Sequence, residues 1–193
     1  MSDVAAVPVD PDAAPSVATS EPLGDVVLAV DVGATHFQAG LVTTRGVLID
    51  RARAQIEPDI GPESQYTALA SIVTEMLERA GSRHAVAVRA LGVTSGAHAS
   101  RGLELVSPLS VPGWRDFPLR DLLANETGLP VHIENSGRAC AIAQAWGVRR
   151  EAGRSTDFVF LSVSDGLGVG LVVNGEVLRG RHNVAGEFGH VPL

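Results

Sequence analysis

Lysine is absent from this sequence: all 15 basic residues are arginine. That excludes a phosphate loop built around a lysine, and any lysine Schiff base. Acidic residues outnumber basic ones by 22 to 15, a formal net charge of −7, which argues against a nucleic-acid-tracking surface. The single cysteine, Cys140, rules out a disulfide framework. Its place inside an apolar helical pattern reads as a buried structural thiol. No apolar run is long enough to span a bilayer, and the N-terminus has neither the basic nor the apolar region of a secretory signal. These absences together predict a soluble, cytoplasmic protein.

What remains is ordinary α/β material. The chain has 193 residues, 45% of them hydrophobic, enough for one large domain or one domain and part of a second. Residues 1–24 are rich in Ala, Pro, Ser and Asp and lack periodicity, so they read as a disordered tail with no DNA-binding module. From Asp25 three β-rich runs follow, parted by turns near Gly33 and at Arg45-Gly46. Tyr66, Leu69, Ile72, Val73, Met76 and Leu77 lie at helical spacing, with Gly81 as the expected C-cap. "AVAVRALGVTS" reads as the next strand, residues 96–113 as loop, and "WRDFPLRDLLANETG" as a helix ending at Gly128. "VHIEN" is a strand that breaks into a helix at Asn135, and two further strands follow, with a hairpin at Asn174-Gly175.

Four stretches could carry chemistry, and each has a structural explanation beside it. In "DVGATH", Gly33 and Ala34 would let a phosphate approach backbone N–H groups, Thr35 could donate to it, and Asp31 could hold Mg²⁺ through water. A D-x-G turn between strands is common in its own right. Gly166, Gly168 and Gly170 form a second candidate clamp, or simply mark tight strand packing. In "AGEFGH", Glu187 could accept from vicinal sugar hydroxyls and His190 could touch sugar or metal, whereas such a pair is usually solvated surface. Asn135 could bridge ligand hydroxyls through its amide, or Asn135 or Ser136 could cap the helix that follows.

Taken jointly, "DVGATHFQAG", "LGVTSG", "VSPLSVPGW", "PVHIENSGRACAIAQ", "GLGVGLVVNGEVLRG" and "AGEFGHVPL" resemble, in order and spacing, the ROK family of repressors, open reading frames and sugar kinases. The likeness runs from about Val26 to Leu193. It implies an actin-like ATPase (ribonuclease H-like) fold, with sugar and ATP meeting in a cleft between two domains. The expected division is a tail at 1–24, a complete first α/β domain at 25–134, and the truncated start of a second at 135–193. The resemblance implies that Asp31, Gly33 and Thr35 form the first phosphate motif and Gly166, Gly168 and Gly170 the second. Asn135, Glu187 and His190 match sugar contacts, and Gly96 lies where a sugar-side turn is expected.

Departures from the family pattern are equally informative. Where the kinases carry a catalytic Asp directly after the Asn, this chain has Ser136, which cannot act as a base near neutral pH. The usual Gly-Thr of the second phosphate motif is Ser164-Asp165. The family's zinc site uses the His matching His190 and three cysteines downstream that this sequence lacks, so zinc is not expected; ATP and Mg²⁺ are the implied cofactors. The leading expectation is a sugar-binding, catalytically impaired protein of the regulator type. The alternatives are an ATP-dependent hexose kinase (glucokinase or N-acetylhexosamine kinase type) and an inactive fragment. The expected partner is a small-molecule sugar, with no membrane; an exposed half-domain would also favour a homodimer.

Overall fold

A computed structural model describes residues 24–57, 59–96, 105–148, 157–163 and 166–190, with backbone only for Val148 and His190. The expected tail (up to residue 23), the Ser164-Asp165 pair and part of the 96–113 loop lie outside the described residues.

Strands β1 (Val26–Val32), β2 (His36–Thr43) and β3 (Leu48–Gln55) form an antiparallel meander. On β1, Val26, Leu28, Val30 and Val32 point inward and are each at most 2% exposed, the period-2 alternation of a sheet with one buried face. Helix α1 (Pro62–Ser82) covers that face with Leu69, Ile72, Val73 and Met76. It runs through the expected Gly81 stop and ends at Arg83, whose N–H donates to the Arg79 carbonyl. The chain reverses later, at Ala85, whose φ is +52°.

Strand β4 (Val88–Ser95) lies parallel to β1, and β5 (Val131–Asn135) parallel to β4, giving the order β3-β2-β1-β4-β5. Between them, helix α2 spans only Leu119–Thr127 and closes on Gly128 in the left-handed conformation, φ +68°. The helix expected from Trp114 onward does not form there. Trp114 is fully buried, stacked on Phe37 and Phe117 with centroids 5.6 and 4.5 Å away, and its indole N–H donates to the Pro62 carbonyl at 3.1 Å. Asp116, at φ +47°, and Pro118 at the N-cap hold the segment before Leu119 out of helix.

Helix α3 (Ser136–Val148) follows β5 without a linker and leads to a second antiparallel sheet, β6 (Phe158–Val163), β7 (Leu167–Val173) and β8 (Glu176–Val177). Asn174 and Gly175 turn β7 into β8 with φ values of +53° and +74°, the backbone a two-residue type I′ hairpin demands. Backbone packs on backbone where α3 meets β7. A Cβ on Gly137 would fall 2.5 Å from the Val169 nitrogen, and one on Gly170 only 2.4 Å from the Ala141 Cβ. The far end of α3 reaches the first sheet, where a Cβ on Gly46 would lie 2.7 Å from the Trp146 ring.

Cys140 is exposed, correcting the expectation of a buried thiol. Helical phase is the reason: Ala141 takes the face against β7, and its neighbour is turned about 100° away. Among the described residues no helix is long and apolar enough to cross a membrane.

Candidate functional site

The register of the three parallel strands lines up their carboxyl ends. Val32, Ser95 and Asn135 are partners on one face of the sheet edge, and Asp31, Thr94 and Glu134 on the other. Such an edge, with a helix N-terminus beside it, is where open α/β sheets hold ligands. Asp31, Gly33, Gly96 and Asn135 are thereby brought to one rim. Gly96 is exposed, and a side chain there would meet open space.

At the end of β1, Gly33 N–H donates to the His36 carbonyl at 3.1 Å, closing a tight turn. A Cβ at Gly33 would sit 2.9 Å from that same oxygen, so the turn needs glycine. Asp31 is half-buried and accepts from the Thr94 hydroxyl. Burial raises its pKa above the ordinary value, with the Thr94 hydrogen bond opposing the rise. A metal bound beside it would relieve the cost of its charge. A lone carboxylate of this kind would suit a water-mediated Mg²⁺ contact, and among the described residues no cluster of three metal-type side chains occurs.

Thr35 is exposed at the tip of this turn. Its hydroxyl lies 2.7 Å from His36 Nδ1, and an Arg53 guanidinium nitrogen lies 2.7 Å from His36 Nε2. Arginine can only donate, so Nε2 accepts and Nδ1–H donates to the threonine oxygen. The Thr35 hydroxyl proton is then left to point outward. Sequence reasoning passed over both His36 and Arg53, which are seventeen residues apart and meet only across the β2–β3 pair.

The opposite wall is built at the β5–α3 junction. The Arg138 backbone N–H donates to Asn135 Oδ1 at 3.2 Å, so Asn135 caps α3. That contact fixes the amide orientation and turns Nδ2 toward Glu187, to which it donates at 3.0 Å. Capping of α3 and a bond to Glu187 coexist in one side chain. Gly186, at φ +91°, lets the loop lie on β7: a Cβ there would be 2.6 Å from the Val169 carbonyl. His190 belongs to a short 3₁₀ turn, Phe188–His190; its side chain lies outside the described residues. Ser136 is half-exposed at the first position of α3.

Glu134, the acid nearest Ser136 in sequence, faces away from Asn135 as strand alternation requires. Its carboxylate accepts from Arg138 Nε at 2.7 Å, from the Asn135 N–H at 2.9 Å and from Arg179 Nε at 2.9 Å. Burial works to raise its pKa, but the hydrogen bonds from Arg138 and Asn135 and the charges of both arginines outweigh it and hold the carboxyl below the usual range. Of the second glycine group, Gly166 is exposed, while Gly170 packs under α3. Arg138 and Arg179 escaped sequence reasoning. The four-residue spacing of Glu134 and Arg138 was the one local signal, and it straddles a strand–helix boundary.

Comparison with known proteins identifies the family and the fold. The ROK family model matches residues 27–193. The chain is 30% identical over 166 residues to an N-acetylmannosamine kinase of Escherichia coli O6:H1, covering 86% of this chain and 54% of that one. It superimposes with a TM-score of 0.73 on a ROK glucokinase from Streptomyces griseus solved with glucose and AMPPNP, at 28% identity, covering 87% of this chain and 51% of the other. A ROK transcriptional regulator, a homologue of the E. coli MLC protein, superimposes with a TM-score of 0.72 at 26% identity, over 88% of this chain and 42% of that one. The chain spans about half the length of the curated relatives it matches. Its mixed five-stranded sheet and helices have the actin-like, ribonuclease H-like α/β fold of these sugar-kinase-like proteins. The chain belongs to the ROK family.

Proposed function

We propose that this chain is a cytoplasmic, sugar-binding ROK protein of the regulator type, impaired in phosphoryl transfer. The observation that carries the reading is the pairing of Asn135 with Glu187 beside Ser136, while the adjacent acid on β5, Glu134, is tied to two arginines. A sugar hydroxyl placed against Asn135 and Glu187 would meet an N–H donor and a carboxylate acceptor. Gly96 and His190 would complete the sugar side. Ser136 stands where the family's kinases carry their catalytic Asp and cannot act as a base near neutral pH, and losing a general base lowers rate by about 10²–10⁴. Two α/β units meeting near Asn135 would place the sugar between them.

A hexose kinase is the second reading, favoured by the intact turn at Asp31, Gly33 and Thr35. There the Gly33 turn and the Thr35 hydroxyl would hold the phosphates of ATP, with Gly166 and Gly168 opposite and Asp31 on a hydrated Mg²⁺. The nucleotide supplies the phosphoryl group; the chain's part is to orient it and to accept a proton. Calorimetric titration with glucose and N-acetylmannosamine, run beside a coupled kinase assay on the full-length protein, separates the readings. Saturable binding without turnover, with ATP-dependent phosphorylation appearing in Ser136→Asp, is the expected result. Turnover by the unaltered protein would overturn the impaired reading, and no binding of either sugar would overturn both.

A further inference from the structure

Arg138 is 1% exposed, the most buried charged side chain among the described residues. A guanidinium is retained at such depth only where its donors find acceptors. Nε donates to Glu134 Oε1 at 2.7 Å, and one terminal nitrogen donates to the carbonyls of Asn183 at 3.0 Å and Ala185 at 3.4 Å. The other Glu134 oxygen takes Arg179, through Nε at 2.9 Å and a terminal nitrogen at 2.8 Å. One cluster therefore grips residues 179, 183 and 185, all within the segment that leads to Glu187.

That segment needs gripping. Gly180, Asn183 and Gly186 all have positive φ, at +72°, +60° and +91°. Asparagine tolerates this conformation better than other non-glycine residues, but a run of such residues leaves the segment little regular structure of its own. The Asn183 carbonyl rests on Arg138, which supplies the constraint. Position 138 also acts at the other end through its backbone, whose N–H orients the Asn135 amide toward Glu187 whatever side chain it carries.

We propose that Arg138, with Glu134 and Arg179, is a positioning set that holds the Glu187 loop over Asn135 and so governs affinity for a sugar diol. The sugar half of this statement rests on the function proposed above; the tether does not.

The test combines calorimetry for glucose and N-acetylmannosamine with hydrogen exchange of amides 183–188. Arg179→Ala, at a half-exposed position, should weaken sugar binding about two- to fivefold, with Arg179→Lys recovering most of it. Arg138→Lys keeps the charge but loses the fork, and should weaken binding about ten- to a hundredfold. In both weakening variants exchange should quicken in 183–188 and stay unchanged in β1 and α1, a pattern that global destabilisation would not give. Should Arg138→Lys fail to fold, Arg179→Ala against Arg179→Lys decides alone. Unaltered exchange and affinity in the arginine variants, while Glu187→Ala abolishes binding, would overturn the proposal. If the unaltered protein binds neither sugar, the sugar reading falls, and local exchange still upholds or overturns the tether.

Discussion

The two sheets treat the same kind of residue in opposite ways. Val26, Leu28, Val30 and Val32 on β1 are almost wholly buried, whereas Val159, Leu161 and Val163 on β6 are 55%, 59% and 82% exposed. Both strands alternate, and both alternations are obeyed. On the first sheet α1 and α2 cover the apolar face; on the second, α3 covers the glycine-bearing face and the outward valines and leucine meet solvent. Alternation therefore dictates which residues share a face, and says nothing of what covers it. Among the described residues, α3 is the helix that packs on the second sheet.

The largest effect that sharpens this contrast is Leu28→Ala. At a site with no exposure it should cost about 2–5 kcal/mol in chemical denaturation. Gly170→Val attacks the second sheet at its anchor, where even one Cβ would fall 2.4 Å from Ala141. Overpacking of this kind should cost about 1–3 kcal/mol, and proteolysis should then cut first in β6–β8 while β1 stays protected. A smaller effect concerns pH. The folded Glu134 carboxyl is held below its unfolded value, so it contributes stability above the unfolded pKa that is lost as pH falls through the folded one. Asp31 is shifted upward and works in the other direction, favouring the fold as acid is added. Glu134→Gln should thus flatten the acid limb of a stability profile, and Asp31→Asn should steepen it. Smallest of all, Leu161→Thr should change denaturation by less than about 0.5 kcal/mol, while reducing concentration-dependent light scattering. Equal losses for Leu28→Ala and Leu161→Thr would erase the contrast.

Local chemistry made much of this legible in the sequence. Asn174-Gly175 specifies its hairpin through two positive φ values, and Gly128 stops α2 by the same freedom. The succession of strands along the chain and the placing of Asn135 at a strand end also followed from pattern. The failures share a cause in long-range contact. Trp114 sits in a periodic segment, yet it leaves the helix to stack between Phe37 and Phe117. Cys140 lies outside the core because Gly170, thirty residues on, fixes the phase of α3. The Arg138 cluster spans residues 134 to 185 and was invisible for the same reason.

The tryptophans have a consequence of their own. Trp114 is sealed in the first core, and Trp146 is 44% exposed on the Gly46 turn, at the opposite end of α3 from Asn135. Their emission should separate into a blue component closed to acrylamide and a red one open to it. Only the red component stands on the helix that begins at the candidate sugar site. A tilt of α3 of a few degrees, too small to alter circular dichroism, would shift Trp146 against Gly46 and change its lifetime, leaving Trp114 as an internal reference.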